Sequence, residues 1–268
     1  MIVNINGNDI FYELRGSENA KETVAFFNGV MASANSWGYQ AALFEKMGYR
    51  VLLHDFKGQL KSGKPKGPYS FKEHAQEAKI LMDKLGINKV HIVGTSYGGE
   101  VALRFAIDYP EYIKSVSVID SVSEIDDKIR YFIDGWKRAA EEKDAKKFFF
   151  GMMPTIYGNS FIEKNMNMLS KRAEDMEKFP KDYFEGQIYL YETFLNDLNL
   201  TKELHKIKSP VLFILGEEDI LKPRKFVEKM VAEIPESEFI VIPDCGHVAI
   251  FEKYDTVNSM LLGFIMKN

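Results

Sequence analysis

Apolar positions along the chain fall into short, dense runs separated by longer stretches of mixed, helix-like periodicity. Ile2–Ile5 and Ile10–Leu14 flank Asn6-Gly7-Asn8, the pattern of two strands joined by a hairpin turn. VAFF (24–27), RVLLH (50–54), KVHIV (89–93) and SVSVI (115–119) follow, each compact and rich in β-branched or other bulky apolar side chains. Runs of this kind suit strands buried on both faces of a parallel sheet. Helix patterns lie between them over Ser36–Met47, Ser70–Leu85 and Gly99–Asp108, the last stopped by Tyr109-Pro110. Strand and helix in alternation predict βαβ units.

From Val122 to about Leu204 the strand runs vanish, and long helical patterns rich in Met, Phe and Tyr replace them. Phe184, Ile188, Tyr191, Leu195 and Leu198 fall on one face of such a helix. The strand pattern resumes with VLFIL (211–215) and EFIVI (238–242), and a helical segment at 253–266 closes the chain. The pattern therefore predicts an α/β core made of residues 1–121 and 206–268, interrupted by a helical insertion at 122–205. An insertion of roughly 80 residues is too long for a plain loop.

Composition narrows the class. A chain of 268 residues with 46% hydrophobic and 28% charged positions is an ordinary globular protein, long enough for one large α/β domain with an insertion. A formal net charge of −4 argues against non-specific nucleic-acid binding, and the lysines of KGQLKSGKPK (57–66), diluted by Gly and Pro, read as a solvated loop. A single cysteine, Cys245, excludes an intrachain disulfide framework and reads as a packing residue in a reducing compartment. MIVNINGNDIFYEL has neither the basic nor the long apolar region of a signal peptide, and no apolar run approaches a membrane span. The expectation is a soluble, cytoplasmic protein that meets neither nucleic acid nor membrane, its oligomeric state left open.

The chemistry centres on VHIVGTSYGGEVALRFA (90–106). Gly94-x-Ser96-x-Gly98 sits between a strand run and a helix run, where small residues on either side of the serine let strand and helix approach closely. A serine hydroxyl is a poor nucleophile at neutral pH and needs a base, a group to orient that base, and donors for an oxyanion. Among five histidines, His54 and His91 lie in strand runs, His74 in a helix pattern and His205 in a loop, all reading as core or surface residues. His247 follows the last strand run, where a sheet delivers side chains to its carboxyl edge. LFILGEEDILKP offers Asp219 as the orienting acid, with Glu217 and Glu218 as surface charges, and Asp120 at the end of SVSVID as the rival acid. Neither metal-binding histidine spacing nor a phosphate-cradling lysine is present, so no metal or cofactor is called for.

Strand, G-x-S-x-G, insertion, strand-acid and strand-His in this order resemble the α/β-hydrolase superfamily over essentially the whole chain. HDFKGQLKSG is similar to the family's D-x-R-G-x-G-x-S loop through Asp55, Gly58 and Ser62, with Lys57 and Leu60 departing from it. CGHVAIFEK is similar to its G-H-x-x-x-x-E ending through Gly246, His247 and Glu252. The resemblance implies a mostly parallel eight-stranded sheet with helices on both faces and an inserted helical cap. It implies Ser96, His247 and Asp219 as the catalytic triad and the backbone amides of Val30 and Tyr97 as the oxyanion hole. Asn28 stands where the family usually has histidine, as in enol-lactonase members. A serine at the elbow separates the chain from the dehalogenases and epoxide hydrolases of the superfamily, which use aspartate there.

Met31, Trp136, Met152 and Tyr157 are candidates for the substrate pocket, the insertion being apolar through Met152, Met153, Met166, Met168, Met176, Phe148–Phe150 and Phe161. No charged cluster in it asks for an anion, so the expected partner is a small or medium uncharged carboxylic ester. Lactone, thioester or C–C bond cleavage, acyl transfer, and ligand binding without turnover stay open as alternatives.

Overall fold

The computed structural model describes residues 1–268. Every apolar run becomes a strand of one sheet: β1 (Ile2–Ile5), β2 (Asn8–Arg15), β3 (Thr23–Phe27), β4 (Arg50–His54), β5 (Val90–Thr95), β6 (Ile113–Ile119), β7 (Val211–Gly216) and β8 (Glu238–Ile242). Their spatial order is β1-β2-β4-β3-β5-β6-β7-β8. β1 and β2 pair antiparallel, β2 runs antiparallel to β4, and all remaining pairs are parallel. All residues of β3, β5 and β7 are buried, as a sheet covered on both faces requires.

Helices α1 (Gly38–Lys46), α2 (Phe71–Lys84) and α3 (Tyr97–Asp108) connect the first strands. Between β6 and β7 come α4 (Asp127–Glu141), α5 (Ala145–Ile156), α6 (Asn159–Met176) and α7 (Tyr183–Asp197). α8 (Arg224–Glu233) follows β7, and α9 (Ala249–Glu252) and α10 (Tyr254–Lys267) end the chain. Alternate strand residues feed opposite faces. Phe26, Leu53 and Val93 pack with Phe44 of α1 and Leu261 of α10. Phe27, Leu52 and Ile92 pack with Leu81 of α2, Phe105 of α3 and the inserted helices. No helix is long and apolar enough to cross a membrane.

Local chemistry sets the helix ends. The Ser70 hydroxyl accepts the Glu73 amide while the Glu73 carboxylate accepts the Ser70 amide, a reciprocal cap that starts α2. α3 begins at Tyr97, two residues ahead of the apolar pattern, because Ser96 itself is the residue that opens it.

Three expectations change. The segment 57–66 is not a solvated loop: Lys57, Gly58, Gln59 and Ser62 are buried. Lys57 Nζ lies 3.1 Å from Glu77, and the Ser62 hydroxyl donates to the Asp55 carbonyl at 2.6 Å, so local partners replace water. The face of α7 is also rotated from the simple apolar stripe, with Ile188 and Leu195 half-buried while Gln187, Leu190, Thr193 and Phe194 are buried. α7 is packed on two sides: Thr193 Oγ1 accepts the Tyr69 amide and Asp197 accepts the Phe71 amide. His205 belongs to a 3₁₀ turn, Thr201–Lys206, rather than to a loop.

Candidate active site

β5 delivers Ser96 into a sharp turn whose backbone is strained, with φ 53° and ψ −122°. The flanking glycines are steric necessities: a Cβ on Gly94 would lie 2.3 Å from the Gly98 carbonyl oxygen, and one on Gly98 would lie 2.0 Å from that of Phe27. The side chain is thereby held above the carboxyl edge of the sheet.

The turn after β8 carries His247 to the same edge, where its amide donates to the Ile156 carbonyl of α5 at 2.7 Å. Glu252 accepts the amide of Gly246 at 3.0 Å and that of Gly158 at 3.2 Å, tying this turn to the inserted helices. His247 Nε2 lies 2.9 Å from Ser96 Oγ, and its Nδ1 lies 2.7 Å from Asp219 Oδ2. The other oxygen of Asp219 accepts the amides of Leu221 and Lys222 at 2.9 and 2.8 Å, which fixes the carboxylate. An imidazole so placed can take the hydroxyl proton through one nitrogen while the carboxylate holds the other.

The remaining acids have other roles. Glu217 is exposed, and Glu218 accepts the Asn159 amide at 2.9 Å. Asp120 is fully buried and accepts the amides of Gly216 and Ala249 at 2.8 and 3.1 Å. Burial, with the charge of Asp219 nearby, raises its pKa well above the usual carboxylate range. It braces β7 to the His247 turn instead of touching the imidazole.

The Asn28–Val30 turn lies beside the serine, since a Cβ on Gly29 would come 3.3 Å from the Ser96 Cβ. Asn28 is anchored by donating to the His54 carbonyl at 2.7 Å and accepting from Trp37 Nε1 at 2.8 Å. Gln59 donates to the Gly29 carbonyl at 2.8 Å and accepts the Phe56 amide at 2.9 Å. Val30 follows directly on this pinned turn, and the Tyr97 amide is the first of α3, without an intrahelical acceptor. Asp55 supports the same region, accepting the amides of Ala34 and Lys61 at 2.7 and 3.0 Å.

A cavity of about 190 Å³ opens beside the site, between the Met31 and Val248 turns and α5 and α6. Fourteen residues line it, eleven of them hydrophobic. Met31 and Tyr157 are among them, with Met153, Met176 and Phe149. Trp136 and Met152 are not: Met152 is fully buried beneath Tyr191, whose hydroxyl meets its sulfur at 3.7 Å, and Trp136 packs edge-on against the same ring. Met166 and Met168 are exposed on α6. One cation, Arg172, and one anion, Asp175, line the cavity, with the guanidinium 4.7 Å from the centre of the Phe251 ring. His54, His74 and His91 are buried without reaching the triad, His54 against the Phe27 and Phe56 rings, His74 against those of Phe56 and Tyr97, and His91 against the Ser115 hydroxyl, while Cys245 packs in the smaller core cluster. No three or more His, Cys, Asp and Glu side chains converge as a metal-ligand set.

Sequence reasoning missed Gln59, the bracing role of Asp120, Arg172 and Lys222, whose ammonium lies 3.2 Å from Ser96 Oγ. The lysine of ILKP carries no local signal that it is buried; only its place three residues after Asp219 puts it at the sheet edge.

The alpha/beta hydrolase fold family model matches residues 22–254. A 2-hydroxy-6-oxononadienedioate/2-hydroxy-6-oxononatrienedioate hydrolase of a Pseudomonas species is 26% identical over 261 residues, covering 93% of this chain and 89% of its own. A protein named as a carbamate hydrolase, RutD, from Caulobacter segnis is 27% identical and covers 96% of each chain. A solved structure of an alpha/beta hydrolase enzyme from a Medee basin deep-sea metagenome library superposes with a TM-score of 0.95 at 29% identity, covering 100% of this chain and 98% of its own. The chain belongs to the alpha/beta hydrolase fold family, and the names of its relatives support a hydrolase.

Proposed function

We propose that this member of the alpha/beta hydrolase fold family is a serine hydrolase that cleaves small or medium uncharged carboxylic esters through an acyl-enzyme. The observation that carries the reading is the continuous hydrogen-bonded chain from Asp219 through His247 to Ser96, at 2.7 and 2.9 Å, on a strained elbow. Ser96 Oγ attacks the carbonyl carbon as its proton passes to His247 Nε2. Asp219 holds the Nδ1–H and stabilises the imidazolium without taking the proton. The amides of Val30 and Tyr97 receive the oxyanion. His247 then protonates the leaving alkoxide, and a water molecule repeats the sequence to release the acid and free Ser96. The apolar cavity beside Met31 and Val248 supports an acyl pocket, since flexible methionines accommodate varied apolar shapes.

Arg172 favours a second reading, in which the acyl chain ends in a carboxylate. The Pseudomonas relative is named for substrates that are dioates. A guanidinium is a strong partner for such a group, and the one acid in the same lining, Asp175, already accepts from Lys171 and Lys178.

The test is hydrolysis of p-nitrophenyl esters from acetate to decanoate, with wild type beside Ser96→Ala. The expected result is turnover by wild type and a fall of about 10⁴-fold or more in the variant. Equal activity in the two proteins would remove Ser96 as nucleophile. Preference for a hemiester of a dicarboxylic acid, abolished by Arg172→Met, would favour the second reading over the first.

A further inference from the structure

Ser96 Oγ has two polar neighbours, and only one of them is the imidazole. Lys222 Nζ lies 3.2 Å away on another side. The Lys222 side chain is 2% exposed, and its ammonium is enclosed by Glu100 Oε1 at 2.5 Å and the Phe194 ring at 4.9 Å to its centre. Its backbone is anchored to the acid of the site, the Lys222 amide donating to Asp219 at 2.8 Å. Glu100 sits one helical turn beyond Ser96, is fully buried, and accepts the Val122 amide at 3.2 Å through the oxygen that faces the lysine. Its second oxygen has no partner.

A buried ion pair is a poor way to stabilise a fold, because desolvation of both charges offsets most of their attraction. Its placement against a nucleophile asks for a chemical reason. An ammonium has only donors. It must therefore donate to a lone pair of Ser96 Oγ, which leaves the serine proton to point at His247 Nε2.

We infer that Lys222 is a fourth catalytic residue, a fixed donor to Ser96 Oγ that stabilises negative charge on that oxygen when it attacks and again when it is expelled from the acyl-enzyme, with Glu100 as its counter-ion. The inference rests on the reading of Ser96 as nucleophile. Lys222 keeps its three protons throughout; the proton that moves is the serine's, to His247 and back. Glu100 makes the pair neutral, so the imidazolium formed on His247 does not face an uncompensated cation. Burial raises the Glu100 pKa to about 7, with Lys222 opposing the rise.

The test is a Lys222→Met/Glu100→Gln double variant, in which glutamine keeps an acceptor for the Val122 amide and methionine keeps the contact with Phe194. Three quantities are measured: melting temperature, kcat and KM on the best p-nitrophenyl ester, and the rate at which a fluorophosphonate labels Ser96. The expected outcome is a native-like melt, an unchanged KM, and falls of about tenfold to hundredfold in both kcat and labelling rate, the worth of one charge-assisted hydrogen bond. Lys222→Arg, which retains a cationic donor, should recover most of the labelling rate. A double variant that labels and turns over as wild type does would make the pair purely structural and overturn the inference. Should the double variant fail to fold, Lys222→Gln alone, whose amide can still donate to Glu100 but carries no cation, gives the same comparison, and wild-type labelling and turnover would again overturn the inference. Absence of labelling in wild type itself would remove Ser96 as nucleophile, and the role of Lys222 with it.

Discussion

The carboxylate of Asp120 accepts the amide of Ala249, two residues beyond His247, at 3.1 Å, and its other oxygen accepts the Gly216 amide at the end of β7. One buried side chain at the tip of β6 thus clamps both loops that carry the partners of Ser96. It is the rival acid by position in the sequence and a brace by geometry.

Asp120→Ala should leave two buried amides without acceptors, a loss of about 2–4 kcal/mol in urea unfolding. The same variant should lower kcat, since Asp219 and His247 both lose a fixed platform, while Asp120→Asn, which keeps one acceptor oxygen, should fall between. Wild-type stability in Asp120→Ala would show that the clamp carries no energy.

Gln59 holds the turn that precedes Val30 through the Gly29 carbonyl. If the turn carries the proposed oxyanion donor, Gln59→Leu should reduce kcat by about tenfold to hundredfold with little change in KM, because such a donor acts mainly on the transition state. A rise in KM at constant kcat would assign the turn to substrate binding instead.

Burial lowers the pKa of His54 from its ordinary 6.5 to about 4, and neither ring nitrogen has a partner. The unfolded chain binds this proton below pH 6.5 whereas the folded chain refuses it until about pH 4, so the stability from neutral His54 is complete above 6.5 and is lost as pH falls through that window. The loss is on the order of 3 kcal/mol. Buried carboxylates such as Glu100 and Asp55, raised by desolvation, act with the opposite sign. The measurement is therefore the difference between wild type and His54→Leu in unfolding free energy from pH 7 to pH 4, expected to move in favour of the variant as pH falls. A constant difference would count against a neutral His54.

Met153 lines the cavity from α5. Met153→Trp should fill part of it and cut kcat/KM for decanoate by about tenfold or more relative to acetate, as several methylenes lose their burial. An unchanged chain-length profile would mean that the acyl chain lies elsewhere.

Much of this protein was legible in one dimension. Strand runs, helix patterns and the order of serine, acid and histidine depend on local periodicity and on turn chemistry, which neighbouring residues set by themselves. Gly94, Gly98 and Ser96 are the clearest case: their spacing already demands a tight strand-to-helix turn, and the start of α3 and the end of β3 supply the atoms that forbid a Cβ on Gly94 and Gly98. Ser96, His247 and Asp219 meet because each ends a strand or follows one at the same edge of the sheet.

What tertiary structure alone decided are the partnerships between residues far apart in the chain. Lysines at 57 and 222 look alike as letters, loop cations beside glycine or proline, and both are buried because a carboxylate on a distant helix waits for them: Glu77 on α2 and Glu100 on α3. The division between Asp120 and Asp219 follows from which backbone amides face each carboxylate. Likewise Met31 and Tyr157 line the cavity while Trp136 and Met152 pack away from it, because the rotation of each inserted helix is set by all its neighbours together. Periodicity along a chain specifies which face of an element is apolar; only the assembled neighbours determine what each side chain on it meets.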